Sequence, residues 1–171
     1  MPYHSSHNKD DVRLVSQLPI LPFNTAVKGP APQYKGEQGK DIIDETIEYY
    51  RANVLFKQFD VEGPADKLMI YLTLFITQCL QKVEKQPAKS DGQRLLIQLA
   101  QGQFDLPGAP KFPLGGLVNT PEVNETDLIR NYLRQAREEI VVRLVDRIYP
   151  DGKLSKWWAQ FAKKKFLNKT M

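Results

Sequence analysis

The distribution of apolar residues predicts a helix near the middle of the chain that is buried on all sides. Between positions 65 and 84, apolar side chains occupy nearly every face of a helical projection rather than one stripe. A helix of this kind is stable only when other elements cover it, so it marks the predicted centre of the fold. Its apolar residues are Leu68, Met69, Ile70, Tyr71, Leu72, Leu74, Phe75, Ile76, Cys79 and Leu80.

An amphipathic helix is predicted before this central helix. Asp41 can cap it, with Asp44 three residues further on as the partner of a capping box. Gly63-Pro64 separates the two helices, and Pro64 suits the first position of the central helix because its missing amide is not needed there. The apolar face of the preceding helix consists of Ile43, Ile47, Tyr50 and Val54.

Two more helices are predicted after the central one. Ser90 can cap a short helix that carries Leu95, Leu96 and Leu99. A longer amphipathic helix spans residues 126–148, with an arginine-rich face opposite its apolar stripe. Two i,i+4 ion pairs are expected on the charged face, each contributing a few tenths of a kcal/mol. They are Arg134–Glu138 and Glu139–Arg143.

Proline and glycine divide the rest of the chain. Residues 1–40 contain five prolines and three glycines among several apolar residues, which predicts an extended arm lying across the domain surface or across a neighbour. Residues 102–121 are similarly interrupted and predict a packed loop. No alternating pattern predicts a strand. We therefore expect an all-α fold in a single domain, residues 1–171, with an extended N-terminal arm (1–40) and a helical core (41–171).

Composition narrows the class of protein. The chain has 171 residues, a net charge of +4 and one cysteine. One domain with a real core is expected at this length, and a single cysteine cannot form an intrachain disulfide. The N-terminus is polar, and the longest apolar run, residues 68–75, is far shorter than the roughly 18 residues that span a bilayer. We expect a soluble intracellular protein without a transmembrane segment.

The residues that commonly carry catalysis are poorly placed for it. His4 and His7 lie in a polar terminal stretch, where solvated side chains are expected rather than a base or a metal ligand. Cys79 lies in the most apolar helix, where a thiolate is disfavoured. The acidic residues at 41–48 are expected to complement a helix dipole. No glycine spacing matches a phosphate-binding loop. No catalytic, cofactor-binding or metal-binding residues are predicted.

Three features are candidates for binding. The first is the rigid segment containing Lys28, Pro30 and Pro32, which suits an extended groove but equally a plain surface turn. The second is the arginine stripe of residues 126–148, a pattern that is also typical of a solvated face. The third is the C-terminal stretch from Ser155, which is read as a helix that docks onto a partner or onto its own domain.

The C-terminal stretch combines both tryptophans with a lysine run. Burying a Trp removes about 150–250 Å² from water, so we expect these rings to be covered. Adjacent residues on a helix lie 100° apart, so we predict Trp158 inside and Trp157 nearer the surface. The candidate partner-binding residues here are Lys156, Trp157, Lys163, Lys164 and Lys165.

Segments that follow one another along the chain carry a family resemblance. They are Tyr3–Ser6, Lys28–Pro32, Asp41–Lys57, Leu68–Leu74, Phe112–Leu114, Ser155–Trp158 and Phe166–Lys169. In this order and spacing they resemble subunit 3 of the actin-related protein 2/3 complex, the assembly that nucleates branched actin filaments. The resemblance covers nearly the whole chain.

The resemblance implies an all-α fold with one helix surrounded by the others, and no catalytic activity. It implies partners among the other subunits of the complex, chiefly actin-related protein 3, and actin filaments through the complex. No cofactor is expected, because the actin-related subunits bind the nucleotide. The implied location is the cytoplasm, at cortical actin structures and the cytoskeleton. No nucleic-acid partner is expected.

Two other classes remain open from the residues alone. One is a basic adaptor that binds nucleic acid or anionic membrane through its C-terminal lysine run and Lys169, with an affinity that falls steeply with salt. The other is an enzyme of undescribed type, which would need a pocket with a titrating group.

Overall fold

A computed structural model describes residues 1–36 and 39–171. It contains two short strands, β1 (Leu14–Val15) and β2 (Leu18–Pro19). The α-helices are α1 (Ile42–Asn53), α2 (Pro64–Val83), α3 (Lys89–Gln101), α4 (Thr126–Ile148) and α5 (Lys156–Ala159). Single 3-10 turns cover Gly115–Leu117, Val123–Glu125, Gln160–Lys163 and Phe166–Asn168. The described chain is thus mainly helical, as predicted.

Helix α2 is the centre of the fold. It contacts each of the other α-helices and strand β2, and most of its side chains are buried. Only Gln81 and Lys82, near its C-terminal end, are exposed. Its two buried threonines are satisfied within the helix, since Thr73 and Thr77 donate to the carbonyls of Met69 and Thr73. The prediction of a central helix surrounded by others is confirmed.

The helix ends follow the predicted signals with one exception. Asp41 caps α1 by accepting a 2.9 Å bond from the amide of Asp44, and Pro64 opens α2. The prediction that Ser90 caps α3 is wrong, because the cap position is Ala88. Ala88 forms an antiparallel bridge with Lys153. This contact holds residue 88 extended and allows the helix to begin at the next residue.

The prediction of no strands is also wrong. Strands β1 and β2 form a tight antiparallel hairpin in which Leu14 pairs with Pro19. Ser16 and Gln17 connect them with φ values of 55° and 67°. Two consecutive left-handed residues are the geometry of a type I′ turn, whose usual sequence is Asn-Gly. Ser-Gln lacks that signal, so the pattern alone did not reveal the hairpin.

The N-terminal segment packs on the helices of its own chain. Val15, Leu18, Leu21 and Phe23 are buried in the core. The Leu21 backbone exchanges hydrogen bonds of 2.8 and 2.9 Å with the hydroxyl of Tyr132 on α4. In the packed loop after α3, Phe112 and Leu114 are buried as well, so both non-helical segments contribute to the core.

The charged face of α4 is less solvated than predicted. Arg137 and Glu139 are buried. The predicted Glu139–Arg143 ion pair forms at 2.8 Å, whereas within the described ranges Arg134 and Glu138 do not pair. The solvent-exposed surface of α4 is therefore narrower than the charged face that the sequence predicted.

Within residues 1–36 and 39–171, no helix has both the length and the apolar character that crossing a membrane requires.

Candidate protein-interaction surface

The C-terminal stretch is a short helix followed by turns. Ser155 occupies the cap position of α5 as predicted, but its side chain makes no capping hydrogen bond. The predicted C-terminal helix is short, because α5 ends at Ala159 and a 3-10 turn follows to Lys163. Tertiary contacts redirect the chain beyond it. Gln81 donates to the carbonyl of Ala162 at 3.1 Å, and the Leu167 amide donates to the carbonyl of Phe56 at 3.2 Å.

The two tryptophans face opposite environments. Trp158 is only 6% exposed and stacks on Tyr50 at 6.0 Å between ring centroids, while Phe161 meets the same tyrosine edge-on. Trp157 is 59% exposed. The prediction that Trp158 lies inside and Trp157 outside is confirmed, and Trp157 is left available to a partner.

Arg51, at the end of α1, joins the tryptophan pair. Its guanidinium carbon lies 5.6 Å from the Trp157 ring centroid and 5.2 Å from that of Trp158. These are cation–π distances. Arg51 is not among the predicted binding residues, because nothing in the pattern of α1 indicates which distant residue its exposed end contacts.

We call one group of exposed residues the tail surface. It consists of Arg51, Lys156, Trp157, Lys163, Lys164 and Lys165. Within the described part of the chain, none of its five cations pairs with a carboxylate. Aromatic and arginine side chains contribute most to protein interfaces, and unpaired cations favour an acidic partner. The tail surface therefore has the chemistry of a docking site for an acidic protein face.

The other predicted binding segment, residues 28–32, is a turn fastened to α4. The Phe23 amide donates to the carbonyl of Pro32 at 3.0 Å and closes the loop. Gln135 accepts from the amide of Ala31 at 2.8 Å and donates to the carbonyl of Val27 at 3.0 Å. Lys28 and Pro32 are exposed and Pro30 is half-buried. This turn rests on α4, whereas the tail surface rests on α1 and α2, so the candidate residues form two separate surfaces.

Comparison with known proteins assigns the chain to a family. A family model described as P21-Arc, the ARP2/3 complex ARPC3 (21 kDa) subunit, matches residues 1–171. The chain belongs to this family. The actin-related protein 2/3 complex subunit 3 of Dictyostelium discoideum is 46% identical to this chain over the full length of both. The proteins of the same name from Arabidopsis thaliana and Saccharomyces cerevisiae are 43% and 37% identical, and the alignments cover 98% or more of each chain.

In this P21-Arc chain, the N-terminal Tyr3–Ser6 segment is an internal anchor. The backbone of Tyr3 exchanges hydrogen bonds with the side chain of Asn53. The side chains of Ser5 and Ser6 each donate to Glu45 at 2.6 Å. Glu45 is buried, so it serves as a hydrogen-bond acceptor rather than only complementing the helix dipole as predicted.

The prediction that the histidines are solvated is wrong. His4 is partly buried, and its Nδ1 lies 2.7 Å from Asp66 Oδ2. His4, Glu62 and Asp66 offer possible metal-ligand atoms within 4.8 Å of one another. Both oxygens of Asp66 already accept hydrogen bonds, including those from the amides of Ser5 and Glu62 at 2.9 Å. Anchoring of the N-terminal segment therefore accounts for this cluster.

The single cysteine is a core residue. Cys79 is completely buried, and this burial raises the pKa of its thiol far above the ordinary value. A thiol that stays protonated is a poor nucleophile. The prediction that Cys79 is a core residue is confirmed.

Proposed function

We propose that this chain is a non-catalytic structural subunit of an ARP2/3 complex, which supports nucleation of branched actin filaments through protein–protein contacts. The observation that carries this proposal is the match over residues 1–171, together with relatives aligned from end to end. The names of those relatives describe a subunit of a complex. Its partners are the other subunits of the complex, and it reaches actin filaments through the assembly.

Within this role, the tail surface is a contact for an acidic face of a neighbouring subunit, chiefly actin-related protein 3. Its exposed Trp157, flanked by Arg51 and Lys156, supports this role because such a ring gains most from being covered by a partner. The turn formed by residues 28–32 is a second contact. Residues 1–171 act as one domain in the assembly, with the N-terminal segment as an integral part of it rather than an arm onto a neighbour.

The protein works in the cytoplasm at cortical actin structures. The alternative of a basic adaptor for nucleic acid or membrane finds no support in the names of the relatives, which all refer to subunit 3.

Co-purification from cells that express the tagged chain tests the proposal. The wild type should bring down the actin-related subunits at physiological salt, and failure to do so refutes the subunit role. Changing Lys163, Lys164 and Lys165 together to Glu should leave the fold intact but reduce incorporation into the complex. A control with the same change in charge is available at three exposed lysines elsewhere, namely Lys9, Lys57 and Lys111.

The control variant should assemble as the wild type does. Equal assembly of both triple variants would remove the lysine run from the interface while leaving the subunit role in place. Equal loss in both would mean that net charge matters rather than the tail surface.

A further inference from the structure

A pocket of about 350 Å³ lies between α4 and the segment that follows α3. Arg130 and Arg134, which are one helical turn apart, form one side of it. Gln103, Phe104 and Leu106 form the other. The pocket thus presents two guanidinium groups and an amide beside an apolar wall.

The hydrogen-bond donors of Arg134 have few acceptors within the described part of the protein. Its Nε is shielded from solvent and has no hydrogen-bond partner among the described residues. Its best internal contact is a long one, 3.5 Å from Nη1 to Asn131 Oδ1. A guanidinium group is charged at any ordinary pH and carries five donors. Apart from that contact, no hydrogen bond within the described residues occupies its terminal nitrogens, so Nη1 and Nη2 are the donors left for a ligand in the pocket.

Arg130 is available to share that ligand. It bonds Asp127 at 2.6 Å, but the carboxyl side chain of Asp127 is 90% exposed. An ion pair so exposed to water contributes little and is readily exchanged. Most of the donors of Arg130 are therefore free to turn to an anion in the pocket.

A third arginine adds positive potential behind the pocket wall. The guanidinium of the buried Arg137 lies 4.4 Å from the centroid of the Phe104 ring. Its hydrogen bonds go to Tyr71 and to the carbonyls at the end of α3, the shortest being 2.8 Å to Leu99, and not to a carboxylate. Asp105, in the same segment, is exposed and opposes this potential in part. Asp127 is exposed as well, whereas Arg137 is buried, so water screens these carboxylates more than it screens Arg137.

We propose that this pocket binds a phosphomonoester group, held by Arg134 and Arg130, with Gln103 as a neutral donor and Phe104 as the apolar wall. A phosphomonoester carries about −1.5 to −2 charges at pH 7 and three acceptor oxygens. That charge matches two guanidinium groups better than the single charge of a carboxylate does. The fork of an arginine also bonds phosphate through two parallel donors.

Isothermal titration of the full-length chain with inorganic phosphate and with O-phosphoserine tests this site. Acetate at matched ionic strength is the control ligand. Both phosphates should show saturable binding that Arg134→Gln weakens by about tenfold or more, as expected for the loss of a charge-assisted hydrogen bond. Arg130→Gln should weaken it as well. Arg147→Gln, at an exposed position on the same helix, should have no effect.

Tighter binding of O-phosphoserine than of inorganic phosphate would support the site and identify a phosphorylated side chain as its source. Equal binding would support it and point to free phosphate. Absence of saturable binding, equal binding of acetate, or an equal effect of Arg147→Gln would overturn the proposal. Near-ultraviolet circular dichroism of each variant verifies that the fold is unchanged.

Discussion

Arg143 ties together three parts of the chain that are distant in sequence. Its guanidinium donates to Asp41 at 2.7 and 2.8 Å, to Asp44 at 2.7 Å, to Glu139 at 2.8 Å and to the carbonyl of Asn24 at 2.7 Å. Burial opposes ionisation of Asp41, but the bonds from Arg143 and two backbone amides outweigh it and lower the pKa of this carboxyl. The N-terminal segment, α1 and α4 therefore meet at one arginine.

Replacing Arg143 by Gln should destabilise the protein by about 3 kcal/mol, because it leaves the buried Asp41 carboxylate without its cation. Urea unfolding at pH 7 measures the effect, and the exposed Arg147→Gln should stay within about 0.5 kcal/mol of wild type. The difference between wild type and Arg143→Gln should shrink as pH falls below the ordinary Asp value of 3.8. A loss no larger than that of Arg147→Gln would show that the cluster contributes no net stability.

His7 is expected to make the stability of the fold depend on pH near neutrality. Its Nδ1 lies 2.7 Å from Asp10 Oδ2, and its Nε2 lies 2.7 Å from the carbonyl of Lys40. Both partners are acceptors, so both ring nitrogens can donate only in the imidazolium form. Although burial opposes protonation, the Lys40 carbonyl and the carboxylates of Asp10 and Glu45 raise the pKa of His7 above 6.5.

Because the pKa of His7 is higher in the folded protein than in the unfolded chain, protonated His7 stabilises the fold. This contribution is complete below about pH 6.5 and is lost as the pH rises through the higher pKa of the folded state. We therefore expect the urea midpoint of the wild type to fall between pH 6 and pH 9. In His7→Gln this part of the decline should disappear. An identical pH profile in the two proteins would rule out the imidazolium contacts as its cause.

At the scale of elements, a glycine in α3 makes room for the tyrosine that follows α4. A β-carbon at Gly92 would overlap the hydroxyl of Tyr149. Tyr149 is buried, and its hydroxyl is held by a 2.7 Å bond to the carbonyl of Gln86. The ring therefore cannot move aside without losing that bond.

Gly92→Ala should destabilise the protein even though Ala is the better helix former. Helix propensity alone favours Ala by about 1 kcal/mol, but overpacking typically costs about 1–3 kcal/mol. We expect a net loss of about 1 kcal/mol in thermal or urea unfolding. Gly116→Ala is the control, because nothing lies within 4 Å of its β-carbon position. A stabilised Gly92→Ala protein would mean that Tyr149 adapts freely.

At the scale of the whole molecule, we expect the two adjacent tryptophans to have different roles, Trp158 in folding and Trp157 in assembly. Trp158→Ala should cost about 3–5 kcal/mol of stability, because it empties a buried site against Tyr50. Trp157→Ala should cost less than about 1 kcal/mol, since that ring is mostly in water. Trp157→Ala should instead reduce recovery of the actin-related subunits in the co-purification. Should Trp157→Ala destabilise as much as Trp158→Ala, the exposed ring would be part of the core.

Much of the helical framework could be predicted from the sequence. The bounds of the 126–148 helix, the opening of α2 at Pro64, the cap of α1 and the inward position of Trp158 all follow from periodicity and end signals. These features are local, because a residue's helical face and a cap depend only on neighbours within a few positions. The family resemblance could also be recognised from the sequence, because it rests on the order of short segments along the chain.

The sequence by itself determined where α1, α2, α3 and α4 lie to within a few residues, and which face of the amphipathic helices is apolar. The tertiary structure alone decided where the charged and irregular residues lie: Arg137 against two phenylalanines, Arg51 over the tryptophans, and Ser16-Gln17 in a left-handed turn. A charge can be buried only where packing supplies its partners. Those partners come from segments far apart along the chain, so no local pattern encodes them.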